Sequence, residues 1–146
     1  MTEKEEKFYL GIKALFVNKE REFLVVKVNP HKFIPPRDNL WDLPGGRVDK
    51  GELPQEALSR EIYEELNVVN FQILRHLGMV LSQIRISSGE GDAGLILSLY
   101  LCSLPENAEI ILDEETSELR WVTAETASEL LASKFPPEAL SIIRSV

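Results

Sequence analysis

The spacing of apolar positions predicts two strands near the N-terminus of the chain. Phe8 to Val17 and Glu22 to Val28 are both rich in aliphatic and aromatic residues, as strands that contribute to a core usually are. The polar residues 18–21 separate them, and their composition is typical of a turn. We therefore predict that these two strands form a hairpin.

An amphipathic helix is predicted to begin at Pro54, because proline is well suited to the first turn of a helix. Apolar side chains then recur at helical spacing and form one stripe that should face a core. The members of this stripe are Leu58, Ile62, Leu66 and Val69. Leu53 occupies the expected N-cap, and its side chain cannot accept a hydrogen bond from the first turn of the helix. The Glu56 side chain is placed to accept one from the Leu53 backbone N–H instead.

The remaining pattern predicts a loop rich in proline and then further strands and helices. The prolines at 30, 35 and 36 lack the N–H donors that a central strand needs. The elements predicted after this helix are strands over Gln72 to Ile86, Leu95 to Leu101 and Glu118 to Val122, a helix capped at Thr123 or Thr126, and a helix that starts at Pro136 or Pro137 and ends near Arg144. This order predicts an α/β protein with a mixed β-sheet between helices.

Gly89 to Gly94 matches the pattern G-x-G-x-x-G, which binds dinucleotides when a strand precedes it and a helix follows it. An apolar run with the character of a strand follows here instead. We therefore interpret the segment as the loop of a hairpin, one long enough to fold over a substrate.

Length and charge narrow the class of protein. A chain of 146 residues with 44% hydrophobic residues predicts one domain, residues 1–146, with a substantial core. A formal charge of −8 without a basic block argues against binding to long nucleic acid. No apolar run is long enough for a membrane helix, so we expect a cytoplasmic protein. The single cysteine, Cys102, lies in an apolar strand and is expected in the core.

Three glutamates on the predicted helix point to a metal site. Glu61 lies three residues before Glu64 and four before Glu65, so the three side chains lie on one side of the helix. Carboxylates that are this close repel one another unless a cation lies between them. Because these ligands are all oxygens, they predict Mg²⁺, with Mn²⁺ as an alternative.

Arg60 lies four residues from both Glu56 and Glu64 and can bridge them. Each exposed pair of this kind contributes only about 0.3–0.5 kcal/mol. We therefore expect Arg60 to orient the glutamates rather than to stabilise the helix strongly.

The segment from Gly46 to Val68 resembles the Nudix box of hydrolases that cleave a nucleoside diphosphate linked to another group. Its glycine, Glu52, the pair Arg60-Glu61 and the pair Glu64-Glu65 stand at the spacings of that box. The preceding segment, residues 41–46, resembles the loop that leads into the box. The single departure is Asn67 in place of glycine, and asparagine is the usual second choice for the left-handed residue that ends a helix.

The resemblance implies a Nudix-like α/β/α sandwich that hydrolyses a phosphoanhydride with the help of a divalent metal. By resemblance, the backbone carbonyl of Gly46 is a further ligand beside the three glutamates, and Glu52 supports the metal site or the turn. The general base is Glu61 in some family members and a glutamate of a later loop in others. The acidic segment 113–118 offers Glu115 and Glu118 for that role.

Basic residues near the glycine turn are candidates for binding phosphate. Lys27 ends the second strand and Arg47 follows Gly46, so both should lie near the turn. His31, Lys32 and Arg37 in the proline-rich loop are further candidates, although solvated loop charge is the favoured interpretation for these three. His76 lies in a predicted strand and is interpreted as structural.

Two other classes of function are compatible with the pattern. A non-catalytic module that senses nucleotides is one alternative, although such modules usually lack some of the box glutamates. Isomerisation of a prenyl diphosphate is the other and would give Cys102 a role. The expected substrate is a small nucleotide-type diphosphate, such as a nucleoside triphosphate, ADP-ribose or a nucleotide sugar. The sequence leaves the exact substrate and the oligomeric state open, with a homodimer as one possibility.

Overall fold

The computed structural model of the chain describes residues 5–30, 39–89 and 91–146. Eight strands and three helices are present in these residues. In chain order they are β1 (Phe8–Phe16), β2 (Phe23–Val28), β3 (Trp41–Asp42), β4 (Gly45–Arg47), α1 (Pro54–Leu66), β5 (Gln72–Leu81), β6 (Ile86–Ser88), β7 (Gly91–Ser103), β8 (Thr116–Val122), α2 (Ala124–Leu131) and α3 (Pro137–Ser145).

The strands form two sheets, and the larger one is the mixed β-sheet that the sequence predicts. A five-stranded sheet has the order β4-β1-β7-β5, with β6 paired to β7. It is mixed, because β1 runs parallel to β7 and antiparallel to β4. A smaller antiparallel sheet has the order β3-β2-β8.

The helices cover two separate hydrophobic cores. α1 buries Leu58, Ile62 and Leu66 against apolar residues of β1 and β2. α2 and α3 pack over the second core, which includes Leu131, Phe135 and residues of both sheets. This layering confirms the predicted α/β class, with helices on both sides of the strands.

β1 and β2 do not form the predicted hairpin ladder. The turn is present, since the Asn18 amide bonds to the Glu22 carbonyl and the Asn18 side chain accepts from the Glu22 N–H. Beyond the turn, only Val17 and Phe23 pair, and the two strands then enter different sheets. Pairing of β1 with the distant β7 competes successfully with local pairing, because β1 is buried nearly throughout.

Helix α1 begins and ends as its sequence indicates, with one correction. The Glu56 carboxylate accepts the Leu53 N–H at 2.9 Å, and Asn67 adopts the left-handed conformation at φ 58°. The helix stops at Leu66, so Val69 is not part of the apolar stripe and is exposed. The buried residue beyond the helix is Val68 instead.

The segment that contains G-x-G-x-x-G forms a hairpin, as predicted, but most of it is strand. β6 pairs with the start of β7 between Ile86 and Ala93, and β7 begins at Gly91. The turn between the two strands is therefore short. It is not a strand-to-helix turn of the kind that holds a pyrophosphate.

The predictions on the proline-rich loop and on a membrane helix can be compared only with the described residues. Residues 31–38, which include His31, Lys32 and Arg37, lie outside the described residues. Among residues 5–30, 39–89 and 91–146, no helix is long and apolar enough to cross a membrane.

The left-handed cap of α1 gives a test of the fold. The left-handed backbone conformation costs alanine about 1–2 kcal/mol. Asn67→Ala should therefore lower the free energy of unfolding by about 1 kcal/mol, whereas Asn67→Gly should keep or slightly increase it. Urea denaturation measures both. Asn107→Ala, in an exposed turn without a positive φ, is the matched control. Equal stability of the two Asn67 variants would contradict the assigned cap.

Candidate active site

A cleft of about 600 Å³ opens between the two sheets and reaches one end of α1. Its lining divides into two chemically distinct parts. The acidic part consists of Asp49, Glu61, Glu64, Glu65, Asp113 and Glu115. The apolar part consists of Val26, Val28, Leu40, Ile84, Ile86, Leu95 and Leu97.

The glycine turn brings the acidic helix close to the sheet. A Cβ atom at Gly45 would lie 2.0 Å from the Ile12 carbonyl oxygen, and one at Gly46 would lie 2.3 Å from the Glu61 carboxyl carbon. Gly45 also has a φ of 138°, which side-chain-bearing residues rarely adopt. Gly45 therefore requires glycine, since a side chain there would push β4 away from β1, whereas a side chain at Gly46 would displace the Glu61 carboxylate.

Arg60 is the centre of a network of carboxylates at the mouth of the cleft. Its guanidinium contacts Glu52 at 2.7 Å, Glu61 at 2.9 Å and Glu64 at 3.3 Å, and it lies 3.4 Å from Asp49. It also donates to the Arg47 carbonyl oxygen. One side chain therefore links the helix, the turn and the loop that joins them.

Of the two partners predicted for Arg60, Glu64 is confirmed and Glu56 is not. The expected pair with Glu56 is absent, because Glu56 caps the Leu53 amide instead. Glu52 takes its place and forms two hydrogen bonds to Arg60. These bonds, with one from the Asp49 amide, hold the pKa of Glu52 down at about 2, and they raise the pKa of Arg60.

Glu65 lies deeper in the cleft than the other box glutamates. Its carboxylate accepts the Gly45 N–H at 3.3 Å. Burial raises the pKa of Glu65 to about 8, although the positive charge of Lys13 acts in the opposite direction. A carboxylate in such a position is costly to ionise unless a further cation is nearby.

The donor set fits a hard divalent cation, but the ligands are not preassembled. Glu61, Glu64 and Glu65 line one cleft and offer only oxygen atoms. In the part of the chain that the structure describes, no three acidic, histidine or cysteine side chains are grouped closely enough to hold one ion. Arg60 draws Glu61 and Glu64 towards itself, so binding of a cation would require these side chains to rotate.

Of the other predicted site residues, Glu115 and Arg47 line the cleft, while Lys27, Glu118 and Glu52 do not. The loop that carries Glu115 is tied to α1 by the bond from the Asp113 N–H to the Glu65 carbonyl. Glu118 instead pairs with Arg120 at 2.7 Å. Arg47 lies 4.7 Å above the ring of Tyr9, which orients its guanidinium.

A buried cluster of Lys13, Asp42 and Lys134 in the wall of the cleft was not predicted from the sequence. The sequence does indicate a buried ion pair at Lys13, since a lysine inside the apolar strand β1 must find a partner. No comparable sequence pattern indicates that Lys134 is part of the cluster. Lys134 follows α2 and is brought to Asp42, 92 positions earlier in the sequence, only by the folding of the chain.

His76 and Cys102 are both away from the cleft lining. The His76 Nε2 atom lies 2.9 Å from the Ser98 Oγ atom, and its ring packs against Tyr100. Cys102 is fully buried, and burial raises the pKa of its thiol to about 12. A thiol in this state is a poor nucleophile, which argues against the reaction that would use Cys102.

The fold has counterparts among known proteins. The family model of the NUDIX domain matches residues 7–145, so the chain belongs to the NUDIX family. A MutT protein from Methanosarcina mazei Go1 has a similar structure, with a TM-score of 0.72 and 23% sequence identity over 97% of this chain and 94% of that one.

Two curated relatives are similar over part of their length. The nucleoside triphosphatase NudI of Enterobacter sp. is 32% identical over 62% of this chain and 66% of that protein. An RNA pyrophosphohydrolase of Pelagibacter ubique is 31% identical over 49% of this chain and 42% of that protein. The chain thus matches less than two thirds of the length of either relative.

The buried Glu65 predicts how the stability of the metal-free protein depends on pH. The folded protein holds the Glu65 proton up to about pH 8, whereas the unfolded chain loses it near its ordinary pKa of 4.5. Between these values the folded state binds more protons, so this group lowers the free energy of unfolding as the pH rises. With a chelator present, Glu65→Gln should therefore melt higher than the native chain at pH 8, by several degrees.

The difference between Glu65→Gln and the native protein should shrink at pH 5, where both carry a neutral group at this position. Glu64→Gln, one position earlier and exposed, is the matched control and should lack this pH-dependent gain. Scanning calorimetry across pH 5–9 measures all three proteins. A constant difference across this range would show that the burial of Glu65 does not destabilise its ionised form.

Proposed function

We propose that the protein is a hydrolase that cleaves the phosphoanhydride of a small nucleotide-type diphosphate with the help of Mg²⁺ or Mn²⁺. The observation that carries this proposal is the cleft itself. Its lining combines Glu61, Glu64 and Glu65 with Gly46 and with apolar side chains such as Ile84 and Leu97. This combination suits a ligand with a charged diphosphate and a less polar group attached to it.

Glu61, Glu64 and Glu65, with the backbone carbonyl of Gly46, would hold the cation. When bound, the cation supplies positive charge to the diphosphate oxygens and makes a water easier to deprotonate. The membership of the chain in the NUDIX family and the relatives named as a nucleoside triphosphatase and an RNA pyrophosphohydrolase support this reaction class. Nucleoside triphosphates fit the small volume of the cleft better than long RNA, and the acidic surface favours them as well.

The residues of the chain perform the positioning. Arg60 gathers Glu52, Glu61 and Glu64 around itself, and Glu61 and Glu64 would rotate from these positions to bind a cation. Arg47 lines the cleft next to Gly46 and is placed to bind a phosphate oxygen.

Glu115 is the better of the two loop candidates for the general base. It lines the cleft, and the backbone of its loop is bonded to that of Glu65. Glu118 lies outside the cleft lining and its carboxylate is already paired with Arg120. In the proposed reaction Glu115 takes the proton of a water whose oxygen attacks phosphorus, and the bond from phosphorus to the leaving phosphate oxygen breaks.

Turnover of a panel of nucleoside triphosphates, ADP-ribose and nucleotide sugars tests the reaction class. Activity should require Mg²⁺ or Mn²⁺, should vanish with a chelator and should return when the metal is added back. Glu61→Gln should lose most of this activity and bind the metal more weakly, because it removes one anionic ligand. Metal-independent turnover, or tight binding of one compound without any turnover, would contradict the proposal and favour a sensor module.

A second pair of variants separates the base from the metal ligands. Glu115→Gln should lower kcat by about 10²–10⁴-fold while leaving the affinity for the metal nearly unchanged. Glu118→Gln is the matched control from the same acidic segment and should keep native kcat. Metal affinity is measured by isothermal titration calorimetry and kcat by phosphate release. If Glu115→Gln keeps native kcat, the base lies elsewhere and Glu61 becomes the candidate.

A further inference from the structure

The cluster of Lys13, Asp42 and Lys134 is buried in the wall of the cleft, which acidic and apolar side chains also line. Their side chains are only 6%, 10% and 12% exposed. The Lys13 Nζ atom donates to the Asp42 Oδ2 atom at 3.0 Å, and the Lys134 Nζ atom donates to the same oxygen. Two ammonium groups thus share one carboxylate oxygen, which leaves a net positive charge in a largely dry part of the cleft.

This cluster offers mainly hydrogen-bond donors to the cleft, because most of the acceptor sites of Asp42 are already used. The Oδ1 atom of Asp42 already accepts the Leu43 N–H at 2.7 Å, and its Oδ2 atom accepts from both lysines. A lysine ammonium has three N–H donors and cannot accept. Lys13 directs one of its donors at Asp42 and another at the Leu43 carbonyl, whereas Lys134 directs one at Asp42.

Lys134 is fixed directly beside the apolar part of the cleft. Its backbone carbonyl accepts hydrogen bonds from the Gln83 N–H at 3.0 Å and from the Ser82 hydroxyl at 3.2 Å. These bonds anchor the segment that carries Ile84, and Ile84 lines the cleft with Lys134. A flat ring bound against the apolar side chains of this cleft would thus share it with the Lys134 ammonium.

We propose that Lys134, held by Asp42 and backed by Lys13, makes the cleft selective for nucleobases that present a ring carbonyl oxygen over those that present an amino group. This inference rests on the proposed function, since it takes the bound molecule to be a nucleotide. A carbonyl oxygen accepts from the ammonium, as O6 of guanine and O4 of thymine can. An exocyclic amino group at the same position would set donor against donor and leave both without a partner.

The environment of Lys134 supports this selectivity. Burial lowers the pKa of Lys134 to about 8, and the charge of Asp42 only partly offsets that effect. An ammonium that has lost most of its water gains more from an added acceptor oxygen than an exposed one would.

Two pairs of nucleotides that differ mainly at the relevant group test the inference without hydrolysis. Inosine and adenosine monophosphates differ by a carbonyl against an amino group on a purine, and uridine and cytidine monophosphates do so on a pyrimidine. Isothermal titration calorimetry with the native protein and Mg²⁺ should give affinities at least about tenfold higher for the inosine and uridine compounds. Equal affinities within both pairs, or failure of all four to bind, would overturn the inference.

Substitutions then assign the selectivity to Lys134. Lys134→Met should bring the affinities within each pair to less than a threefold difference, and Lys134→Arg, which still only donates, should keep the preference. Lys19→Met is the matched control, because Lys19 is an exposed surface lysine. If Lys134→Met is folded and keeps the full preference, another residue reads the base. If Lys134→Met does not fold, the comparison within the native protein still decides whether the preference exists.

Turnover of the triphosphates of the same four nucleosides distinguishes a failure of this inference from a failure of the proposed function. Turnover of all four triphosphates with equal kcat/KM would support the hydrolase and overturn the selectivity. A clear preference in binding without turnover of any triphosphate would support the selectivity and overturn the hydrolase.

Discussion

The close approach of the β4 turn to its neighbours is the constraint on which the geometry of this site depends. Side chains at Gly45 and Gly46 would overlap the backbone of β1 and the carboxylate of Glu61, respectively. Their absence lets α1 place its acidic end against the edge of the five-stranded sheet, where Gly45 donates to Glu65 and β4 pairs with β1. The acidic wall, the entrance to the cleft and the network around Arg60 all follow from this contact.

Charge in the cleft is compensated at two places by cations of the protein. Arg60 neutralises carboxylates at the mouth, and the two lysines around Asp42 do so deeper in the wall. Glu65 lies between these two centres and is the group left with the highest cost of ionisation. The site is thus built so that one further positive charge satisfies it, which is consistent with a cation that arrives with the substrate.

Much of this arrangement could be predicted from local patterns in the sequence. Helix α1, its caps and its glutamates depend on contacts within a few residues, so spacing alone predicts them, and the left-handed Asn67 is one example. The prediction that Glu56 pairs with Arg60 was wrong, because Glu56 can either pair with Arg60 or cap the N-terminus of the helix. In the structure it caps the helix. The split of the strands into two sheets could not be predicted, since parallel pairing of β1 with β7 brings together residues more than 80 positions apart. Lys134 was missed for the same reason.

The two parts of the cleft come from different segments of the chain. The acidic part depends mainly on residues 45–65 and 113–115, whereas much of the apolar part depends on residues 84–97 and is anchored to Lys134. Changes in one segment can therefore alter which molecules are accepted while the groups that carry out the chemistry stay in place. A designer could keep α1 and its turn as a fixed unit and vary residues 82–86 together with the connection between α2 and α3, so that one scaffold serves a set of enzymes with different preferences.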